Sequence, residues 1–188
     1  MENNYPQIIS KLHLEDSFLM DSKLPKDLFL ERLNASVDVG QGHQMFEAFQ
    51  SKLNDYIGEV NANGFRLRRR QKMFESNMRM AIIEGIFKEK REGLSIQVKV
   101  FLHPLRMKLI FGLFIFAYVI FFLAFLFIDM GPEKNFVLWF IPAHGLLLFG
   151  IFYFVFRRMV KVSKRKIVNM LELIGAEEVV SKNNLFLK

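Results

Sequence analysis

The chain has 188 residues, 52% of them hydrophobic, with 22 Phe, 10 Met, no Cys and a formal net charge of +7. That much apolar chain excludes intrinsic disorder, and the lack of thiols excludes a disulfide-stapled module and zinc sites built on thiolates. The length suits one domain or two small ones.

In chain order, the polar start MENNYPQ has no signal-peptide character. Leu24-Pro25-Lys26-Asp27 followed by LFLERL predicts a short helix, with Ser22 as its cap and Pro25 in its first turn. Val39-Gly40-Gln41-Gly42 is a breaker. Met45, Phe46, Phe49 and Leu53 have helical spacing, which predicts a second short helix over Gln44 to Leu53.

From Asn54 the period changes to two. Tyr56 to Val60 leads into Asn61-Ala62-Asn63-Gly64, whose Asn-Gly is a hairpin signal. Phe65 to Arg70 follows. Asn77 to Lys88 reads as a long strand, with Gly85 as a bulge. Glu89 to Gly93 is a polar turn. Leu94 to Leu102 then alternates, with Leu94, Ile96, Val98, Val100 and Leu102 inward and Ser95, Gln97 and Lys99 outward. The expectation is an antiparallel meander of about four strands, its greasy face covered by the N-terminal helices.

Leu109 to Ile128 is twenty residues without a charge, and Phe136 to Phe156 is a second uncharged run. At 1.5 Å per residue the first gives about 30 Å of helix, the thickness of a hydrocarbon core. Asp129 to Asn135, with Gly131-Pro132, allows only an antiparallel return. The runs therefore read as a transmembrane helical hairpin. Lys and Arg near its ends divide eight to one: Arg106, Lys108, Arg157, Arg158, Lys161, Lys164, Arg165 and Lys166 against Lys134 in the loop. That asymmetry puts both termini in the cytoplasm, with Trp139 near the outer interface and Tyr153 near the inner one. The link His103-Pro104-Leu105 is too short for a tether, which would hold the sheet at the inner leaflet. Arg157 to Ile174 continues as a helix with a stripe of Val160, Ile167, Val168, Leu171 and Ile174. It would run on from the membrane helix, dock on the sheet or lie in the interface, and Gly175 would stop it. A last short strand is expected through Asn184 to Leu187.

The expected fold is thus a membrane α+β protein: a cytoplasmic domain over 1–104, a hairpin over 105–156 and a basic helix and tail over 157–188. The stretch YIGEVNANGFRLRRRQKMFESNMRMAIIEGIFKEKREGLSIQVKVFLHPLRMKLIFG resembles the sheet-then-hairpin layout of small two-helix bacterial inner-membrane proteins. The Phe-rich, Lys-rich composition is similar to that of chains from Bacteroidota-like bacteria. The layout is also similar to bacterial PH-like domains joined to two-helix anchors, although those usually place the anchor first. The resemblance covers roughly residues 54–156, contains no catalytic motif, and implies a bacterial inner-membrane location without a defined activity.

Four groups of residues are candidates for function. His144 lies near the middle of the second run, two residues after Pro142, and ionisable groups at such a depth are costly. Counted from the loop, Tyr118 falls at the same depth, so a Tyr118–His144 hydrogen bond would satisfy both. Its readings are a clasp holding the helices in register, a proton relay or gate, or metal ligation. Pro142 adds a freed carbonyl at Leu138. Ala117 and Ala124, and Ala143 and Gly150, are each seven apart and predict a close-packed seam, within one chain or between chains. Arg66, Arg68 and Arg70 share one face of a strand, in a basic run with Arg69 and Lys72. That face is either simply solvated or, with the cations flanking the hairpin, a contact for anionic lipid headgroups. Acidic neighbours and scant aromatic interleaving argue against nucleic acid. No nucleotide, metalloprotease or hydrolase motif is present, and no cofactor or metal is expected.

The expectation for function is a non-enzymatic accessory, scaffold or sensing protein whose partners are membrane lipids and either another protein or further copies of itself. The alternative is an oligomerising membrane effector or channel subunit. An intramembrane enzyme would rest on His144 alone.

Overall fold

A computed structural model describes residues 14–39, 54–70, 81–127, 131 and 134–179. Seven strands and three helices run in the order β1 (Glu15–Ser22), α1 (Lys26–Ala35), β2 (Val37–Val39), β3 (Tyr56–Asn61), β4 (Gly64–Arg69), β5 (Ala81–Glu89), β6 (Leu94–Leu102), α2 (Pro104–Phe127), α3 (Lys134–Leu173) and β7 (Ala176–Val179). The helix expected over Gln44 to Leu53 and the strand through Asn184 to Leu187 fall outside the described residues. So does the part of the long strand before Ala81. The chain forms two compact units, Met1–Leu102 with Met159–Lys188, and His103–Arg158. Among the described residues, 159–179 belong with the sheet unit.

The meander β3-β4-β5-β6 is present, but it is only the middle of the sheet. Among the described residues the order is β2-β3-β4-β5-β6-β1-β7, seven strands where about four were expected. β1 runs antiparallel to both β6 and β7, while β2 pairs parallel with β3. The added strands lack the alternation that marked the others. β7 reads AEEV, and β2 is three residues long.

The registers place Val98, Val100, Ile83, Leu67, Phe65, Phe18 and Met20 on one face. All of these are buried. Two helical segments cover this face. From α1, Phe29 meets Phe87 edge-on at 5.9 Å between ring centroids, and Leu33 follows one turn later. The end of α3 supplies the rest. Lys164 stands 4.9 Å above the Phe18 ring and reaches Asp16 and Glu178 at 3.6 Å each. The registers put all three of those residues on the same face. Val160, Ile167, Val168, Leu171 and Ile174 are buried, each worth about 1.5–3 kcal/mol. The amphipathic stretch is thus the last part of one helix, Lys134–Leu173, rather than a separate element. Gly175 ends the turn after α3 with φ +107°, and its N–H donates to the Glu172 carbonyl.

Two local expectations need correction. Ser22 closes β1 rather than capping α1. Its hydroxyl accepts from the Leu24 N–H and donates to the Gly175 carbonyl at 2.7 Å, tying β1 to the start of β7. The N-cap of α1 is Pro25, without a side-chain cap. Gly85 forms no bulge either, because it pairs in unbroken register with both Phe65 and Val98. The glycine makes room for an aromatic ring: a Cβ there would lie 2.2 Å from the Phe65 ring. Gly64, read from sequence as a turn residue, serves close strand approach, since its Cβ would sit 2.0 Å from the Gly85 carbonyl oxygen.

Filling Gly85 must therefore displace the Phe65 ring. Gly85→Ala is expected to destabilise the sheet by about 1–3 kcal/mol, the usual cost of overpacking. The double variant with Phe65→Leu should recover part of that loss. Thermal melting of the four-member mutant cycle checks this, and additive effects would mean the two sites do not meet.

Candidate functional site

In the second unit α2 and the first part of α3 pack antiparallel through aromatic rings. Phe111 meets Phe149 and Phe156 at 5.3 and 5.6 Å, and Phe114 meets Phe152 at 5.4 Å between centroids. Further along, the Tyr118 hydroxyl lies 2.7 Å from His144 Nδ1. Phe140 stacks on the imidazole at 5.7 Å with planes 11° apart, and Phe114 lies 4.7 Å from the Tyr118 ring. Gly145 is the small residue this contact requires, since a Cβ there would come within 3.0 Å of Tyr118 Cε1. Sequence reading missed it, although it adjoins His144 and opposes the tyrosine chosen as its partner.

The pair sits at the edge of the seam. Tyr118 is half-buried and His144 is exposed on the isolated chain. Among the described residues the only hydrogen bond of His144 is the one through Nδ1, which leaves Nε2 without a partner. Of the two placements expected for the seam of small residues, the one within a chain is not formed. Ala117, Ala124 and Ala143 are exposed, and an added Cβ at Gly150 would meet nothing within 4 Å. Interlocking rings hold this hairpin together, so its alanines are not needed for close approach.

In the first unit the arginine row is largely committed to internal pairs. Arg66 Nε lies 3.3 Å from Glu84 Oε1, and Lys99 Nζ lies 2.9 Å from Glu15 Oε2. Glu84 and Lys99 are opposite one another across β5 and β6, so charge alternates in sign over four strands. Arg68 is half-buried and sits opposite Ile57 and Ile82 in the two neighbouring strands. Arg70 is 7% exposed. Its guanidinium is paired with Asp38, and its Nε donates to the Asn54 carbonyl at 3.1 Å. Asn54 Nδ2 in turn donates to Asp38 Oδ1 and to the Ala35 carbonyl, fastening β2 beside β3. Arg70 has little surface to offer a phosphate, and the Arg66 charge is offset by Glu84.

The remaining cations divide between the units. Arg106, Lys108, Arg157 and Arg158 belong to the second unit, at the end of the hairpin where the chain enters and leaves. Lys161, Lys164, Arg165 and Lys166 belong to the first. Lys164 is taken by Asp16 and Glu178, whereas Lys161 and Arg165 point away from the core. Among the described residues no group of three or more His, Cys, Asp or Glu could hold a metal ion. No family model, curated protein or solved structure matches the chain.

Arg70 and Arg66 should behave differently when truncated. Arg70→Ala leaves Asp38 with its charge uncompensated at a poorly hydrated site and is expected to cost about 3 kcal/mol. Arg66→Ala breaks an exposed pair and should cost about 0.5 kcal/mol. Melting curves separate the two. An Arg70→Ala protein as stable as the parent would return Arg70 to the list of surface contacts.

Proposed function

We propose that the chain is an integral membrane protein of the bacterial inner membrane in which α2 and the first part of α3 cross the bilayer as an antiparallel pair, both termini being cytoplasmic. They anchor the sheet unit, which acts in a non-enzymatic accessory, scaffold or sensing role. The observation that carries this reading is the uncovered apolar surface of the two helices. Each is long and apolar enough to cross a membrane, and the chain buries almost none of either apolar stretch. Trp139, Leu113 and Phe154 are 81, 70 and 67% exposed. Leaving a large apolar side chain in water instead of burying it costs about 1.5–3 kcal/mol. A core helix of a water-soluble fold is covered by its own chain, and these are not.

Arg106, Lys108, Arg157 and Arg158 then meet the inner-leaflet headgroups, each cation adding about 1 kcal/mol against an anionic surface. Lys161 and Arg165 extend that contact along the same helix. The scaffold or sensing role rests on the sheet unit having its own core and its own charge pairing, with no catalytic motif in the sequence. The alternative, an oligomerising effector or channel subunit, draws support from the outward-facing Tyr118–His144 pair. A water-filled pore needs a longer polar stripe than that pair offers.

Reconstitution tests the reading. The protein is expected to stay with membranes through alkaline carbonate washing and to leave sealed vesicles impermeable to small ions. Its orientation bias should weaken when Arg157 and Arg158 are both changed to Gln. Release by carbonate would refute membrane integration, and ion leakage through the vesicles would favour the channel subunit.

A further inference from the structure

Taking the membrane-spanning reading as its premise, we propose that the Tyr118–His144 pair is the centre of a contact between two copies of this chain within the bilayer, each pair hydrogen-bonding its counterpart across a two-fold axis.

The hydrogen-bond inventory of the pair points to a second copy. Neutral imidazole has one N–H and one lone-pair nitrogen, and a phenol both donates and accepts. The bond between Tyr118 and His144 Nδ1 uses one donor and one acceptor. If Nδ1–H donates to the phenol oxygen, the Tyr118 O–H and the Nε2 lone pair are left over. If the phenol donates to Nδ1, the Nε2–H and the phenol oxygen are left over. Either way the pair retains one donor and one acceptor, and two identical pairs related by a two-fold axis satisfy each other with two further bonds. This complementarity is to itself, as an isologous contact requires.

Position makes that remainder costly. His144 is eight residues from Phe136 and twelve from Phe156, roughly 12 and 18 Å of helix from the ends of the uncharged run. Water is remote at that depth, and acyl chains neither donate nor accept, so an open donor or acceptor has a strong demand for a partner. His144 is exposed on its own chain, which leaves it reachable from outside the hairpin. Ala143 and Ala117, next in sequence to the two polar residues, are exposed as well. The dimer, in this account, is a property of the polar pair, and the small residues only permit approach.

The test is single-molecule photobleaching of the labelled full-length protein in phospholipid vesicles over a range of protein-to-lipid ratios. The parent is expected to bleach in two steps. Tyr118→Phe keeps the ring that Phe114 and Gly145 contact and removes only the hydroxyl. It should weaken association by roughly tenfold, as should His144→Phe, in keeping with intramembrane hydrogen bonds of modest strength. A parent that bleaches in one step at every ratio overturns the inference. So does two-step bleaching that neither substitution weakens, because association would then run through another surface. Carbonate extraction of the same samples tells the two readings apart. A monomer that resists extraction refutes the pairing alone, whereas an extractable protein refutes membrane insertion and the pairing with it.

Discussion

An apolar helix that its own chain does not cover must find a non-aqueous surface elsewhere, and this constraint organises the protein. Both long helices meet it on most of their circumference. Among the described residues their mutual contact runs along a strip of rings, from Phe111, Phe114 and Tyr118 to His144, Phe149, Phe152 and Phe156. Among the described residues, many other large apolar side chains of these helices, including Leu113, Phe116, Phe121, Leu146 and Phe154, are exposed. In the membrane setting proposed above, lipid would satisfy them, and the cations at the open end of the hairpin would fall at the headgroups.

The second helix changes character along its length. From Phe136 to Phe156 it carries no charged residue apart from the ionisable His144. From Met159 it is amphipathic, with one side buried in the core of the sheet unit and the other charged. Lys164 shows how closely this part of the helix is fitted to the sheet. It is held by a carboxylate from β1 and another from β7, above the ring of Phe18. Without residues 159–174 one end of the sheet would lose its cover. The sheet unit is therefore completed only by chain that follows the hairpin, and its two segments are joined through α2 and α3.

The legible parts of the fold are those where local pattern and tertiary role coincide. β6 alternates through nine residues, and the two uncharged runs have bilayer length, so both could be read directly. β1 was missed because it places Asp16 on the core face, a choice explained only by Lys164, 148 positions away. β7 carries two adjacent glutamates and leans wholly on β1 for its pairing. The ion pairs of the arginine row were hidden for the same reason. Nothing near Arg70 in sequence reveals that Asp38 neutralises it, or that Glu84 on β5 pairs with Arg66. The alanine sevens suggested a close seam within one chain or between chains, and within the chain phenylalanine rings fill that role. Polar residues inside an apolar run are a sharper guide, since few partners exist at the same depth, and Tyr118 lies within reach of His144.

The central claim, that the two rods cross a bilayer and leave the sheet on its inner side, is tested most directly by labelling single cysteines in this cysteine-free chain. Gly131→Cys lies in the hairpin loop, where an added side chain meets nothing within 4 Å, and Arg91→Cys lies in the exposed turn between β5 and β6. With a membrane-impermeant maleimide on intact cells, the account predicts modification at position 131 and none at position 91 until the membrane is permeabilised. Modification at position 91 from outside, or equal protection of both positions, would contradict it.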